Sequence, residues 1–259
     1  MGITMRAMRS AAVLVVLVCF TNWTMAATVQ VVRLQGSVTA QVGSGPEQTL
    51  KAGDTLRQGT TITTGQSSNV VLRFDDGQVV ALKSLSRFTI ESYRYDAKDP
   101  SAGQMILSLL SGGMRAITGL VANSNRSAFA LKTPVATIGI RGTDFLAALS
   151  QGLYNQVKVG SISVTTSKGA EVFGATQYAF TASPAVLPSS VAPSALPAGI
   201  FTELEAIALA GAAGGASVGA GMGLSPGAAL GIGGLIVIGI GAGLSATSDN
   251  DEVTPTTHH

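Results

Sequence analysis

Residues 132–145 read KTPVATIGIRGTDF, and this stretch decides how the chain is read. Val135–Ile140 is an apolar run with strand character, opened by Thr133-Pro134 and closed by Arg141-Gly142. In a strand, alternate residues share a face. Val135, Thr137 and Gly139 then lie on one side and Ala136, Ile138 and Ile140 on the other. Pro134 is placed as the strand-initial residue, where its missing N–H costs little. Gly142 permits a sharp bend, and Thr143-Asp144-Phe145 opens the next strand. A guanidinium between two strands has three competing roles: active-site cation, ligand clamp or structural pin. Its five donors can tie carbonyls across a β corner, so the favoured expectation is a buried pin, with Asp144 or Asp54 neutralising the charge. A direct ligand contact is the competing expectation.

Outward from this stretch the pattern stays β. Gly53, Gly59 and Gly65 recur every six residues in AGDTLRQGTTITTG and are read as turns requiring positive φ. Asn69–Phe74 alternates, with Val70, Leu72 and Phe74 on one face and Arg73 and Asp75 on the other. Asp76-Gly77 then leads into Val79–Leu82, the clearest hairpin signal in the chain. Thr28–Leu34, Arg87–Tyr93, Met105–Met114, Phe129–Leu131, Asp144–Leu149, Gln156–Thr165 and Ala170–Phe180 are the remaining strands, and Tyr95–Gly103 is a loop. A short helix is the alternative near Gly112-Gly113. About a dozen short strands without a convincing amphipathic helix define an all-β domain.

The flanks differ in character. Arg6 and Arg9 precede the apolar run Ala11–Phe20, and Thr24-Met25-Ala26 supplies small residues for cleavage, so residues 1–26 are expected to be a signal peptide. Residues 181–200 carry Pro184, Pro188, Pro193 and Pro197 among small residues and read as a Pro-rich linker. Residues 201–248 form a Gly/Ala-rich apolar helical segment, uncharged from Ala206 onward, with 227–246 long enough to cross a bilayer. Gly pairs four apart (215/219, 219/223, 227/231, 239/243) permit close helix packing in lipid. Residues 249–259 are an acidic, disordered tail. A single span and a hairpin of two helices remain open, because no Lys or Arg follows Lys168 to set topology.

Composition removes several function classes. Cys19 is the lone cysteine and lies in the leader; the two histidines are residues 258 and 259. The β domain therefore has no thiol nucleophile, no His-based triad and no His/Cys metal site. Asp75-Asp76-Gly77 is better explained by turn chemistry than as an acid pair, and Asp96 and Asp99 beside Lys98 lack the oxygen set calcium needs. No cofactor is expected. The chain holds 16 basic and 14 acidic residues, and without Arg6 and Arg9 the signs balance, which leaves no electrostatic case for nucleic acid.

TPVATIGIRGTDF resembles the signature of the FecR-domain family. So does the upstream ladder: Gly36-Ser-Val38, Gly53-Asp54, Leu56, Gly59, Ile62-Thr-Thr64-Gly65, Val70-x-Leu72-x-Phe74 and Asp76-Gly77. Downstream, Val157-x-Val159-Gly160-x-Ile162-x-Val164 is similar to a further family passage, with Gly160 shifted from its usual place. The resemblance spans about residues 28–180 and singles out Thr133, Pro134, Gly139, Arg141, Gly142, Thr143 and Phe145 as motif residues. It implies an extracytoplasmic β domain, a jelly-roll-like sandwich or solenoid-like stack. Its best-known members sense an occupied outer-membrane receptor and control a sigma factor through a cytoplasmic N-terminal segment. Here a signal peptide precedes the domain, so that regulator role is not carried over. The expectation is a non-enzymatic protein of the periplasm or cell envelope, anchored in the inner membrane through 227–246. It would bind an envelope protein or a glycan. A membrane-anchored sensor is the alternative, and a structural component that forms homo-oligomers is a third.

Overall fold

The computed structural model describes residues 27–209. The signal peptide, the segment 210–248 with its 227–246 span, and the tail 249–259 with its histidines lie outside the described residues.

Among the described residues sixteen strands form one hydrogen-bonded sheet. In chain order they are β1 (Val29–Gln35), β2 (Val38–Val42), β3 (Glu47–Thr49), β4 (Thr55–Leu56), β5 (Thr60–Thr64), β6 (Asn69–Phe74), β7 (Val79–Leu82) and β8 (Arg87–Arg94). Then follow β9 (Gln104–Ser111), β10 (Gly113–Ile117), β11 (Phe129–Lys132), β12 (Thr137–Leu149), β13 (Leu153–Thr166), β14 (Gly169–Gly174), β15 (Tyr178–Thr181) and β16 (Ser189–Val191). Two one-turn helices, α1 (Leu120–Ser124) and α2 (Thr202–Ala206), complete the elements used below. The sheet runs β3-β2-β5-β8-β9-β11-β12-β10-β7-β6-β1-β4, and β13 to β16 extend from β12. Among the described residues only β9 and β11 pair in parallel.

This sheet curls so that its two halves face each other across an apolar interior. Val29, Leu72, Phe74 and Leu82 from one half share a buried cluster with Ile62, Phe88, Ile90 and Leu107 from the other. Phe74 meets Tyr93 edge-on, with ring centroids 5.1 Å apart. A fully buried Val, Leu or Phe side chain contributes about 1.5–3 kcal/mol through removal from water, so this interior dominates stability. The sequence placed β6 and β7 at their observed bounds, and they pair antiparallel as expected. Alternation in Asn69–Phe74, and the Asp76-Gly77 turn signal before the apolar run Val79–Leu82, made those bounds legible.

Other boundaries are corrected. Met105–Met114 is not one strand: Gly112, at φ +78°, divides β9 from β10, and the two pair with different neighbours. Ala170–Phe180 divides into β14 and β15 around a turn. Gly53 and Gly59 have positive φ, but Gly65 does not; there a Cβ would sit 3.3 Å from the Ser37 carbonyl, so close packing is its reason. The expected strands Val135–Ile140 and Asp144–Leu149 merge into one, β12, which begins at Thr137 and leaves Val135 and Ala136 before it.

That strand explains how one hairpin serves both halves of the sheet. The N-terminal part of β12 pairs with β11 and the C-terminal part with β10, while β13 follows it along nearly its whole length. The register jumps between Arg141/Ser161 and Asp144/Val159, so Gly142 and Thr143 stand opposite Gly160 alone. It jumps back between Asp144/Val159 and Phe145/Val157, leaving Lys158 unopposed. Each bulge bends its strand and exchanges the two faces. Hence Ile138 and Ile140 point into the interior before the bend, and Phe145 and Ala147 point into it afterwards.

The Pro-rich stretch corrects a second expectation. Residues 181–200 are not a free spacer. Thr181 ends β15, and β16 hydrogen-bonds to β15. Phe201, Leu204, Ile207 and Leu209 then bury against Val71, Val79, Ala81, Leu146 and Ala148 on the outward face of β6, β7 and β12, with Ile117 of β10 partly buried beside them. Polar contacts fasten this strap: the Glu203 carboxylate accepts from the Ser84 N–H at 2.6 Å and from its hydroxyl at 2.7 Å, and Lys158 Nζ lies 2.8 Å from Glu205 Oε1. The first part of the segment expected to run apolar into a membrane, 201–209, is thus packed on the β domain. No helix among the described residues is long and apolar enough to cross a membrane.

Candidate functional site

The motif residues separate into those that build the bend and those that face solvent. Thr133 and Pro134 lie in the turn between β11 and β12, so Pro134 is not strand-initial. The Thr133 hydroxyl accepts from the Ala136 N–H at 2.9 Å and donates to the Ala136 carbonyl at 2.7 Å, a side-chain-closed turn that sets where β12 begins. Ala136, Ile138 and Ile140 are buried on the face expected of them.

At the bend, glycine geometry replaces the guanidinium pin. Gly142 has φ +58° and Gly160 φ +74°. A Cβ on Gly160 would lie 2.1 Å from the Gly142 carbonyl oxygen and 2.6 Å from that of Arg141, so two backbones meet where only glycine fits. Thr143 is buried, and its N–H donates to Thr118 Oγ1 at 2.8 Å while that hydroxyl donates back to the Thr143 carbonyl at 2.8 Å. Phe145 is fully buried in the interior cluster. These contacts hold the corner without an arginine.

Arg141 is exposed and joins none of the ion pairs among the described residues. The buried-pin expectation is therefore overturned. Neither carboxylate proposed to neutralise it does so. Asp144 is held in a two-point grip by Arg115, at 2.9 and 2.7 Å, and Asp54 accepts from the Lys51 N–H. The Asp144 hydrogen bonds push the Arg115 guanidinium still further above its usual range.

Arg141 instead borders a shallow groove of about 310 Å³, with Arg126, Gly139, Ser161, Ser163 and Val172 among its lining residues. Register places Thr137, Thr165 and Ala170 in one row across β12, β13 and β14. Gly139, Ser163 and Val172 form the next row, and Arg141, Ser161 and Gly174 the third. All nine share the outward face, because Ile138, Ile140, Ile162, Val164 and Phe173 point inward. Arg126 reaches the groove from a 3-10 turn whose start is capped by Asn125, which accepts from the Ser127 N–H at 3.1 Å. Sequence reasoning named Gly139 and Arg141, did not single out Arg126 among the scattered arginines, and missed Ser161, Ser163 and Val172; the alternation of Ile162 and Val164 already placed Ser161 and Ser163 on the opposite face.

The other conspicuous acid has a structural task. Asp76 is buried, and its carboxylate accepts from the N–H groups of Gln78 at 3.1 Å and Val121 at 3.2 Å, while its own N–H donates to the Tyr93 hydroxyl at 2.9 Å. Burial pushes the Asp76 carboxyl up, against the pull of these donors, and burial beside Asp76 pushes the Tyr93 hydroxyl up as well. This joins the β6–β7 turn to α1 and to β8. Turn chemistry, not acid–base chemistry, accounts for Asp75-Asp76-Gly77. Among the described residues no three His, Cys, Asp or Glu side chains cluster as metal ligands.

The molecule described so far is a curled all-β domain with an uncovered sheet face at its sequence motif. Residues 60–170 match the family model described as FecR protein, so the chain carries a FecR domain over that stretch. The match takes in β5 to β13 and the bend, and ends at the start of β14, short of Val172 in the groove and of the strap. No curated protein matches the chain. Two crystal structures of a candidate anti-sigma factor from Parabacteroides distasonis ATCC 8503 are similar at 12% identity and a TM-score of 0.39. They cover 51% of this chain, which spans 58% of theirs, and a likeness of that size carries no argument about role.

Proposed function

We propose that the chain is a non-enzymatic module of envelope signal transduction that recognises a protein or glycan partner through the outward face of β12–β14. Its segment 227–246 holds it at the inner membrane, with the β domain in the periplasm. The observation that carries this reading is the exposure of Arg141: the motif's arginine stands at a groove while glycines and threonines hold the bend beneath it. An exposed guanidinium outside the ion pairs of the described residues is available for recognition. The FecR match favours the signalling role over the purely structural one.

Affinity capture from native envelopes tests the reading. The full chain should retain a partner that the Arg141→Ala chain releases, with both chains equally stable. Identical capture profiles would contradict it. A hydrolytic activity that tracked one carboxylate would overturn the non-enzymatic assignment.

A further inference from the structure

Gly139 has no structural reason to be glycine. It sits inside β12 without positive φ, and a Cβ built there meets nothing within 4 Å. Glycine weakens a strand, and in that setting marks close approach by a ligand or another backbone. Its neighbours keep the surface low: Ser163 and Ser161 lie across from Gly139 and Arg141 on β13, and Gly174 ends the third row on β14. The floor measures roughly 13 Å along the strands and about 10 Å across them. None of its nine outward positions is acidic. Its one charge is Arg141, with Arg126 at the margin, and neither belongs to an ion pair among the described residues.

From this we infer that the groove receives a short extended peptide of a partner protein, its backbone lying over Gly139 and one Asp or Glu carboxylate held by Arg141 and Arg126. A guanidinium presents paired N–H groups that match a carboxylate. The serine hydroxyls offer donors and acceptors to the peptide backbone. Val172, 68% exposed, gives an adjacent aliphatic side chain an apolar contact. A glycan fits less well, because no aromatic ring lines the groove on which a sugar face could stack. The inference deepens the proposed function and rests on its reading of this surface.

The test is an amide NMR titration of the full chain in detergent. The probes are a blocked heptapeptide, Ser-Thr-Val-Glu-Val-Thr-Ser, its counterpart with Gln at the centre, and a trimer of galacturonic acid. The Glu peptide should shift Gly139, Ser161 and Ser163 and bind at least tenfold tighter than the Gln peptide. Arg141→Gln should reduce that preference to under twofold. Gly139→Val should abolish binding of both peptides while its unfolding midpoint stays level or rises. Equal binding of the two peptides, shifts confined to other residues, or tighter binding of the uronate trimer would overturn the inference. If the Glu preference is absent but Gly139→Val still strips the partner in envelope capture, the acidic-peptide inference falls and the surface reading stands. If Gly139→Val also leaves capture unchanged, both fall.

Discussion

The hairpin of β12 and β13 presents two outward faces, one on each side of its bend, and they have opposite fates. Beyond the bend Leu146 and Ala148 point outward and are sealed under Phe201, Leu204, Ile207 and Leu209. Before the bend Thr137, Gly139 and Arg141 point outward and remain uncovered. The same two strands thus carry a face that the chain completes for itself and a face that it leaves open. Burial of apolar area explains the first; nothing in the fold requires the composition of the second.

The largest expected effect breaks the comparison at its hinge. Gly160→Ala forces a Cβ against two carbonyls and a residue into positive φ, which should cost about 3 kcal/mol, read as a drop in urea midpoint. Shortening the strap comes next. Leu204→Ala removes a fully buried side chain and should cost about 2–3 kcal/mol. Limited proteolysis should then cut within 193–209 faster, while β1–β14 stay protected. Asp144→Asn breaks the grip of Arg115 on the covered side and should cost about 1–3 kcal/mol, by thermal melt.

A smaller effect follows from pH. Hydrogen bonding to Lys158 holds Glu205 below the usual carboxylate range. A group with a lowered folded pKa stabilises above its unfolded value and loses that contribution as pH falls through the folded one. The strap should therefore loosen below about pH 4, seen as faster amide exchange at 200–209. Lys158→Met should remove most of this acid dependence. An exchange pattern indifferent to both acid and Lys158 would deny the strap its electrostatic tie.

The two faces were unequally legible in the sequence. Alternation in Asn69–Phe74 and the Asp76-Gly77 turn before Val79–Leu82 gave that hairpin directly, whereas Phe145-Leu146-Ala147-Ala148 is apolar on both faces and hides the phase change at the bend. The continuity of β12 was hidden because Arg141-Gly142 reads locally as a strand end; its continuation depends on Gly160, eighteen residues away. The strap was hidden by its prolines and small residues, which carry no periodicity, and its apolar anchors find their partners only through tertiary contact. α1, at five residues, is too short to leave a helical pattern. The pin reading of Arg141 rests on five donors that could tie carbonyls at a β corner; the strand does not end there, and the phase of Thr137 and Gly139 carries Arg141 onto the outward face.

The central claim is that the face before the bend serves something other than the fold. Equilibrium urea unfolding of the Arg141→Ala chain, beside the wild type, tests it most directly. The account predicts stabilities equal within about 0.5 kcal/mol, as for an exposed side chain without structural partners. A loss of about 2 kcal/mol or more would return the guanidinium to the role of internal brace and contradict the account.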